Sequence, residues 1–101
     1  MTINEMKDIL AQKLKDENCY FSKSDLSIEK GTKDITISIK GTEPFSFIMT
    51  FEHDEYFGYI TCVHRYFNGK RDMTISFIES KQGYDVKQAL IEIGYHIGTQ
   101  F

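Results

Sequence analysis

The chain lacks the features that mark several common protein classes. It contains no tryptophan, one proline and two cysteines, and its apolar runs are only a few residues long. A membrane-spanning helix needs about 20 apolar residues, so we expect no membrane segment. Two cysteines do not make a disulfide framework, and reduced thiols are typical of the cytoplasm, where we expect this protein to act. The polar, charged N-terminus predicts no secretory signal.

Sequence patterns for catalysis and cofactor binding are also missing. The seven glycines are scattered, so there is no glycine-rich phosphate loop, and no serine lies in a Gly-x-Ser-x-Gly motif. The three histidines, His53, His64 and His96, lack the close spacing of a zinc motif. We therefore expect a non-enzymatic protein with no metal and no cofactor.

What the sequence does have is a composition suited to one small domain. Hydrophobic residues make up 41% of the chain and charged residues 27%, so we treat residues 1–101 as a single globular domain. Eight phenylalanines and six tyrosines favour strands. The net charge of −3 disfavours binding to the phosphate backbone of nucleic acids.

Both ends of the sequence have helical periodicity. Residues 2–5 fit a capping box, and an apolar stripe predicts an amphipathic helix over residues 3–17. Asp85 is a suitable N-cap for a second helix, and Gly98 is expected just beyond its end. Within that helix Gly94 costs about 1 kcal/mol relative to alanine, and we expect it to allow a kink or a close approach to the sheet.

The stretch from Tyr59 to Glu79 predicts a β-hairpin. Its turn is Asn68-Gly69, a dipeptide that tolerates the positive φ angles of a type I′ turn. A two-residue loop sets the register by pairing Phe67 with Lys70. In that register the face toward the core consists of Ile60, Cys62, His64, Tyr66, Arg71, Met73, Ile75 and Phe77.

Three further strands are predicted before the hairpin, over residues 25–30, 33–40 and 45–52. The first two are joined by a two-residue turn, and the next connection needs a loop of three or five residues, or a bulge, to keep the apolar residues on one face. Pairing Phe51 with Ile60 continues the meander. The fold class is therefore α+β, with an N-terminal helix, a five-stranded antiparallel meander and a C-terminal helix, and both helices pack on one face of the sheet.

The opposite face of this predicted sheet is the main candidate site. Its apolar members would form an exposed patch, and such patches tend to be interaction sites. Tyrosine, phenylalanine and arginine are also the residue types that anchor interfaces. We therefore expect the face to bind a partner protein or to form a homodimer. The predicted contact residues are Ile48, Tyr59, Val63, Arg65, Phe67 and Ile78.

The leading hypothesis is thus a small binding protein, and by analogy such acidic chains include inhibitors, immunity proteins and phage accessory proteins. Two alternatives stay open. Aromatic residues and arginine on a sheet face can stack the bases of single-stranded nucleic acid, although the acidic charge counts against it. A pocket for a small ligand or for catalysis could lie between helices and sheet, near His64, Tyr66 and His96.

Overall fold

The structure is a computed structural model, which describes residues 1–79 and 83–100. It confirms the predicted α+β architecture, because one five-stranded antiparallel sheet carries both helices on the same face. The strands lie in the sheet in chain order, as in a meander. The elements are α1 (Ile3–Asp16), β1 (Leu26–Lys30), β2 (Asp34–Ile39), β3 (Phe45–Asp54), β4 (Gly58–Phe67), β5 (Lys70–Glu79) and α2 (Val86–Gln100).

Both helices begin at the residues that the sequence indicates. In α1, the Glu5 amide donates to Thr2 Oγ1 at 3.1 Å, and the Thr2 amide donates to the Glu5 carboxylate at 3.1 Å, which is the predicted capping box. In α2, the amide of Gln88 donates to the Asp85 carboxylate at 3.0 Å. The predicted end of α2 is wrong, because the helix continues through Gly98.

Gly94 and Gly98 leave room for α1 to lie against α2. A Cβ atom at Gly94 would lie 2.6 Å from Lys13 Cγ, and one at Gly98 would lie 2.5 Å from Glu17 Cβ. Residue numbers rise together on the two sides, so the helices run parallel. The close approach expected of Gly94 is therefore made to α1 rather than to the sheet. The Lys13 ammonium and the Glu17 carboxylate are 2.9 Å apart beside this contact.

The hydrophobic core lies between the two helices and the sheet face that they cover, which we call the core face. The helix α1 contacts β1, and α2 contacts β4. Apolar side chains on both layers are removed from water, which is the main favourable term in folding. The buried set consists of Met6, Leu10, Leu14, Ala89, Leu90, Ile93 and Ile97 from the helices, with Leu26, Ile28, Ile35, Ile37, Ile39, Phe47, Met49 and Val63 from the strands.

The first three strands present the expected residues to the core. A two-residue turn at residues 31 and 32 would pair Ile28 with Ile35, but the structure pairs it with Ile37. This shift of two residues is even, so every side chain stays on its predicted face. Five residues, 40–44, connect β2 to β3, as one of the predicted loop lengths requires. Ile37 accordingly pairs with Phe47 on the core face.

The predicted faces of β4 are wrong, because the strand is shifted by one residue against both of its neighbours. Val63, not Cys62, pairs with Met49 on one side and with Ile75 on the other. A one-residue shift exchanges the two faces of a strand. The shift arises in the loop before β4, where Asp54 pairs with Gly58, so that Phe51 pairs with Thr61 and not with the predicted Ile60.

A β-bulge at Asp72 reconciles this shift with the tight turn. Around the turn the predicted register is correct, since Phe67 pairs with Lys70 and Asn68 and Gly69 both have positive φ angles. Beyond it, Arg65 pairs with Met73, so Asp72 is the extra residue. The Arg65 guanidinium donates to both carboxylate oxygens of Asp72, at 2.9 and 3.0 Å.

Within residues 1–79 and 83–100, neither helix is long and apolar enough to cross a bilayer.

Substitution of Val63 tests the orientation of β4. Val63→Ala should lower the free energy of unfolding by about 2 kcal/mol, because it removes buried methyl groups and leaves a cavity. Ile78→Ala is the control on the opposite face, where the side chain is 59% exposed and truncation should have little effect. Chemical denaturation measures both values. A neutral Val63→Ala variant would contradict the assignment of Val63 to the core.

Substitution of Gly94 tests the contact between the helices. Alanine favours a helix by about 1 kcal/mol over glycine, yet Gly94→Ala should destabilise the protein by about 1–3 kcal/mol, because its Cβ overlaps the stem of Lys13. Lys87→Ala, at an exposed position of α2, is the control for helix propensity. Thermal and chemical unfolding give the comparison, and a stabilised Gly94→Ala variant would show that the helices are not in close contact.

Candidate interaction surface on the sheet

The face of the sheet opposite the helices is the candidate functional site, and we call it the outer face. No described helix or strand lies over it, since both helices pack on the core face. Residues that pair directly across antiparallel strands share a face, so its members follow from the register. They are Ser27, Glu29, Asp34, Thr36, Ser38, Ser46, Ile48, Thr50, Glu52, Asp54, Ile60, Cys62, His64, Tyr66, Arg71, Thr74, Ser76 and Ile78.

A hydrogen-bonded row crosses the centre of the outer face. His64 lies on β4, with its Nε2 atom 2.9 Å from Thr50 Oγ1 on β3 and its Nδ1 atom 2.9 Å from Thr74 Oγ1 on β5. Next to it, Cys62 Sγ is 3.4 Å from Ser76 Oγ. The polar groups at the centre of the surface therefore bond to one another, and their positions are fixed by three paired strands.

The surroundings of His64 favour the neutral form of its imidazole. Burial among neighbouring side chains lowers the pKa of the imidazole below its ordinary value of 6.5, and the positive charge of Arg71 lowers it further. A neutral imidazole has one N–H donor and one nitrogen acceptor, and a threonine hydroxyl can serve as the partner of either. The centre of the outer face is thus polar, and its histidine favours the uncharged form.

Apolar side chains surround this central row. Ile48 lies directly across from His64, and Ile60 lies across from Ile78, whose side chain is 59% exposed. At the other end Tyr66 pairs with Arg71, and the guanidinium carbon lies 6.0 Å from the centroid of the tyrosine ring. The surface therefore has an aliphatic end and an aromatic end, separated by hydroxyl groups.

The outer face has an acidic end. Its residues toward the β3–β4 loop include Asp34, Glu52 and Asp54, whereas Arg71 lies at the opposite end. The Asp54 carboxylate accepts hydrogen bonds from the amides of Phe57 and Tyr56, at 2.8 and 2.7 Å, and these bonds lower its pKa. The surface thus has a negative potential where the loop begins.

The structure brings only part of the predicted contact set onto this surface. Ile48 and Ile78 lie on the outer face as predicted. Four predicted members, Tyr59, Val63, Arg65 and Phe67, lie on the core face instead, because of the one-residue shift of β4. Val63 is 1% exposed and belongs to the core.

The other three displaced residues lie at the two ends of the core face. Tyr59 contacts the ring of Tyr84, with centroids 5.1 Å apart. Phe67 packs against Phe45 at 5.0 Å, and Arg65 lies over the same Phe45 ring while it binds Asp72. These residues form local contacts on the helix side and do not join Ile48 and Ile78.

The alternative pocket is not assembled either. His64 and Tyr66 lie on the outer face, whereas His96 is on α2, which packs on the core face. The buried Nε2 atom of His96 lies 3.3 Å from a Glu92 carboxylate oxygen, without the alignment of a hydrogen bond. Among the residues that the structure describes, no group of three or more His, Cys, Asp or Glu side chains could hold a metal ion.

Sequence reasoning missed Ile60, Cys62, His64 and Tyr66 as members of the outer face. One signal for them is present in Gly58, whose φ angle is 88°. A glycine with positive φ at the end of a three-residue hairpin loop is a common arrangement, and it would have fixed the correct register of β4.

Comparison with known proteins leaves the function to be argued from these residues. No family model, no curated protein and no solved structure matches the chain.

The titration of His64 tests the description of the central row. Its pKa, measured by NMR, should lie below 6.5, and Arg71→Gln should raise it because a nearby positive charge is removed. A pKa that is lowered by folding makes protonation favour the unfolded chain. Stability from this group is therefore complete above about pH 6.5 and decreases as the pH falls from there through the folded-state pKa.

Lys87→Gln provides the matched control, because it removes the same charge from an exposed position on α2. It should leave the pKa of His64 unchanged. A wild-type His64 pKa at or above 6.5 would contradict the effect of partial burial and of Arg71 on this imidazole.

Proposed function

We propose that this chain is a small non-enzymatic protein that binds another protein through its outer face. The observation that carries the proposal is the row from Thr50 through His64 to Thr74, with apolar side chains beside it on an uncovered sheet. Each feature of this surface lowers a cost that protein association must overcome.

The first cost is desolvation of polar groups. A buried donor or acceptor without a partner costs about 1–3 kcal/mol. Here the imidazole of His64 and the hydroxyls of Thr50 and Thr74 already bond to one another, and the thiol of Cys62 lies beside Ser76. A partner can therefore cover the centre of the outer face without having to replace these hydrogen bonds.

The second cost is the ordering of side chains and backbone. Immobilising a flexible side chain at an interface costs about 0.5–1.5 kcal/mol. The side chains of threonine and isoleucine have restricted χ1 rotation. On the outer face they lie on β3, β4 and β5, each of which is ten residues long. The surface is thus largely organised before a partner arrives.

The favourable term comes from apolar area. Burial contributes about 25 cal/mol per Å². Ile60 and Ile78 are a direct cross-strand pair, and the exposed Ile78 leaves apolar area available at the edge of the sheet. A partner that covers this pair, together with Ile48 and the Tyr66 ring, would form hydrophobic contacts at several points around the polar centre.

The charge pattern indicates a partner with basic residues. Asp34, Glu52 and Asp54 give the loop end of the surface a negative potential, which speeds encounter with a positive patch and opposes a negative one. The same charges weigh against single-stranded nucleic acid, even though Tyr66 and Arg71 could stack a base. We therefore favour a protein partner over a nucleic acid.

Removal of the aliphatic pair tests this proposal. The double substitution Ile60→Ser and Ile78→Ser should leave the folded state intact and weaken partner binding by about tenfold or more, since it removes apolar contacts from the interface. Tyr20→Ser is the control, because this ring is 75% exposed away from the sheet. Tagged proteins can be cross-linked in cells and the captured partner identified, then purified for calorimetric titration.

Circular dichroism and unfolding curves establish that each variant is folded. A purified partner that binds the double variant as tightly as the wild type would remove the outer face as its site. A strongly salt-dependent gel shift with single-stranded DNA would instead favour the nucleic-acid alternative.

A further inference from the structure

The strand β5 has a free edge. It is the last strand of the sheet, and in the part of the chain that the structure describes it pairs with β4 only. Its other side therefore presents a row of backbone N–H and C=O groups that no described strand occupies. Such a row is a template for pairing with another strand.

The two edges of the sheet differ in how they are protected. The opposite edge, β1, is five residues long and ends in Glu29 and Lys30, both exposed. A short edge and charged side chains both discourage strand pairing. In β5, which is ten residues long, Lys70, Arg71 and Asp72 lie at one end and Glu79 at the other, and the run Met73–Ile78 between them contains no charge and no proline.

We propose that β5 pairs antiparallel with β5 of a second copy of this chain, which joins the two five-stranded sheets into one. The two-fold axis would be perpendicular to the sheet, so that the core faces are continuous with each other and the outer faces likewise. This goes beyond the proposed function, which concerns the outer face and a different protein.

The bulge sets the register of this pairing. A ladder cannot pass regularly through Asp72, so the regular segment of β5 is residues 73–79, and its middle is Ser76. Pairing about Ser76 uses the whole segment. It places Thr74 across from Ile78 on the outer face and Ile75 across from Phe77 on the core face.

This register accounts for side chains that the single chain leaves exposed. Ile78 is 59% exposed, and the copy's Thr74 would lie beside it. Phe77 is only partly buried at the margin of the core, where the copy's Ile75 would extend the apolar contact. Both contacts occur twice, once on each side of the axis.

The charges of the two copies are complementary in this arrangement. Lys70 and Arg71 lie at the hairpin end of β5, and Glu79 lies at its other end. Antiparallel pairing about Ser76 therefore brings Glu79 of one copy toward the basic end of β5 in the other. Residues 73–78 include no charged side chain, so this part of the pairing brings no like charges together.

The experiment uses the full chain and compares edge variants. Sedimentation equilibrium over a range of concentrations should give a mass twice that of the chain for the wild type. The double substitution Thr74→Lys and Ser76→Lys places two positive charges at exposed positions on the edge and should return the mass to that of one chain. Ser27→Lys makes the same exchange on the exposed surface of β1 and should leave the dimer unchanged.

Hydrogen exchange identifies the surface that associates. In the wild-type dimer the amides of residues 73–79 should exchange as slowly as those of the central strands. In the double-lysine variant the same amides should exchange faster. A wild-type chain that stays a single copy at all concentrations overturns the pairing. A dimer that persists in the double-lysine variant but dissociates with Ile60→Ser also overturns the pairing of β5 edges. In that case the two copies associate through the outer face, which remains a binding surface.

Discussion

The contact between Arg65 and Asp72 is the constraint that organises the sheet. The turn at Asn68-Gly69 imposes one register on the hairpin, and the loop before β4 imposes another. Both registers can be satisfied only if one residue of β5 has no partner in β4, and Asp72 is that residue. The two parallel hydrogen bonds from Arg65 stabilise it and hold the pKa of its carboxyl below the ordinary range. The orientation of β4 that its loop sets is compatible with the Asn68-Gly69 turn only because of this bulge.

The sequence predicted the fold well because most of its signals are local. The capping residues of α1 and α2, the Asn68-Gly69 turn and the alternation in β1 to β3 each specify structure within a few residues. The predicted register between β1 and β2 was wrong by two residues, and an even shift does not move any side chain to the other face. Element order and the residues of most of the core were therefore accessible.

The site was less accessible, because β4 is half apolar on both faces. Ile60 and Cys62 alternate with Val63 and Thr61, so the hydrophobic pattern of this strand fits either orientation. Thr61 is fully buried, which polarity alone would not suggest, and its hydroxyl accepts a hydrogen bond from the Asp85 amide at 3.1 Å. The contact comes from the chain that leads into α2, and a local pattern carries no information about it.

The parallel arrangement of α1 and α2 has a consequence for the order of folding. Adjacent strands of a meander meet after short loops, whereas Lys13 and Gly94 come together only when nearly the whole chain between them is closed. Closure of a longer loop costs more entropy, and contacts distant in sequence slow their own formation. The contact between α1 and α2 should therefore form after the sheet, once the chain has passed the transition state for folding. Its glycines would then govern chiefly how long the native state survives before it opens.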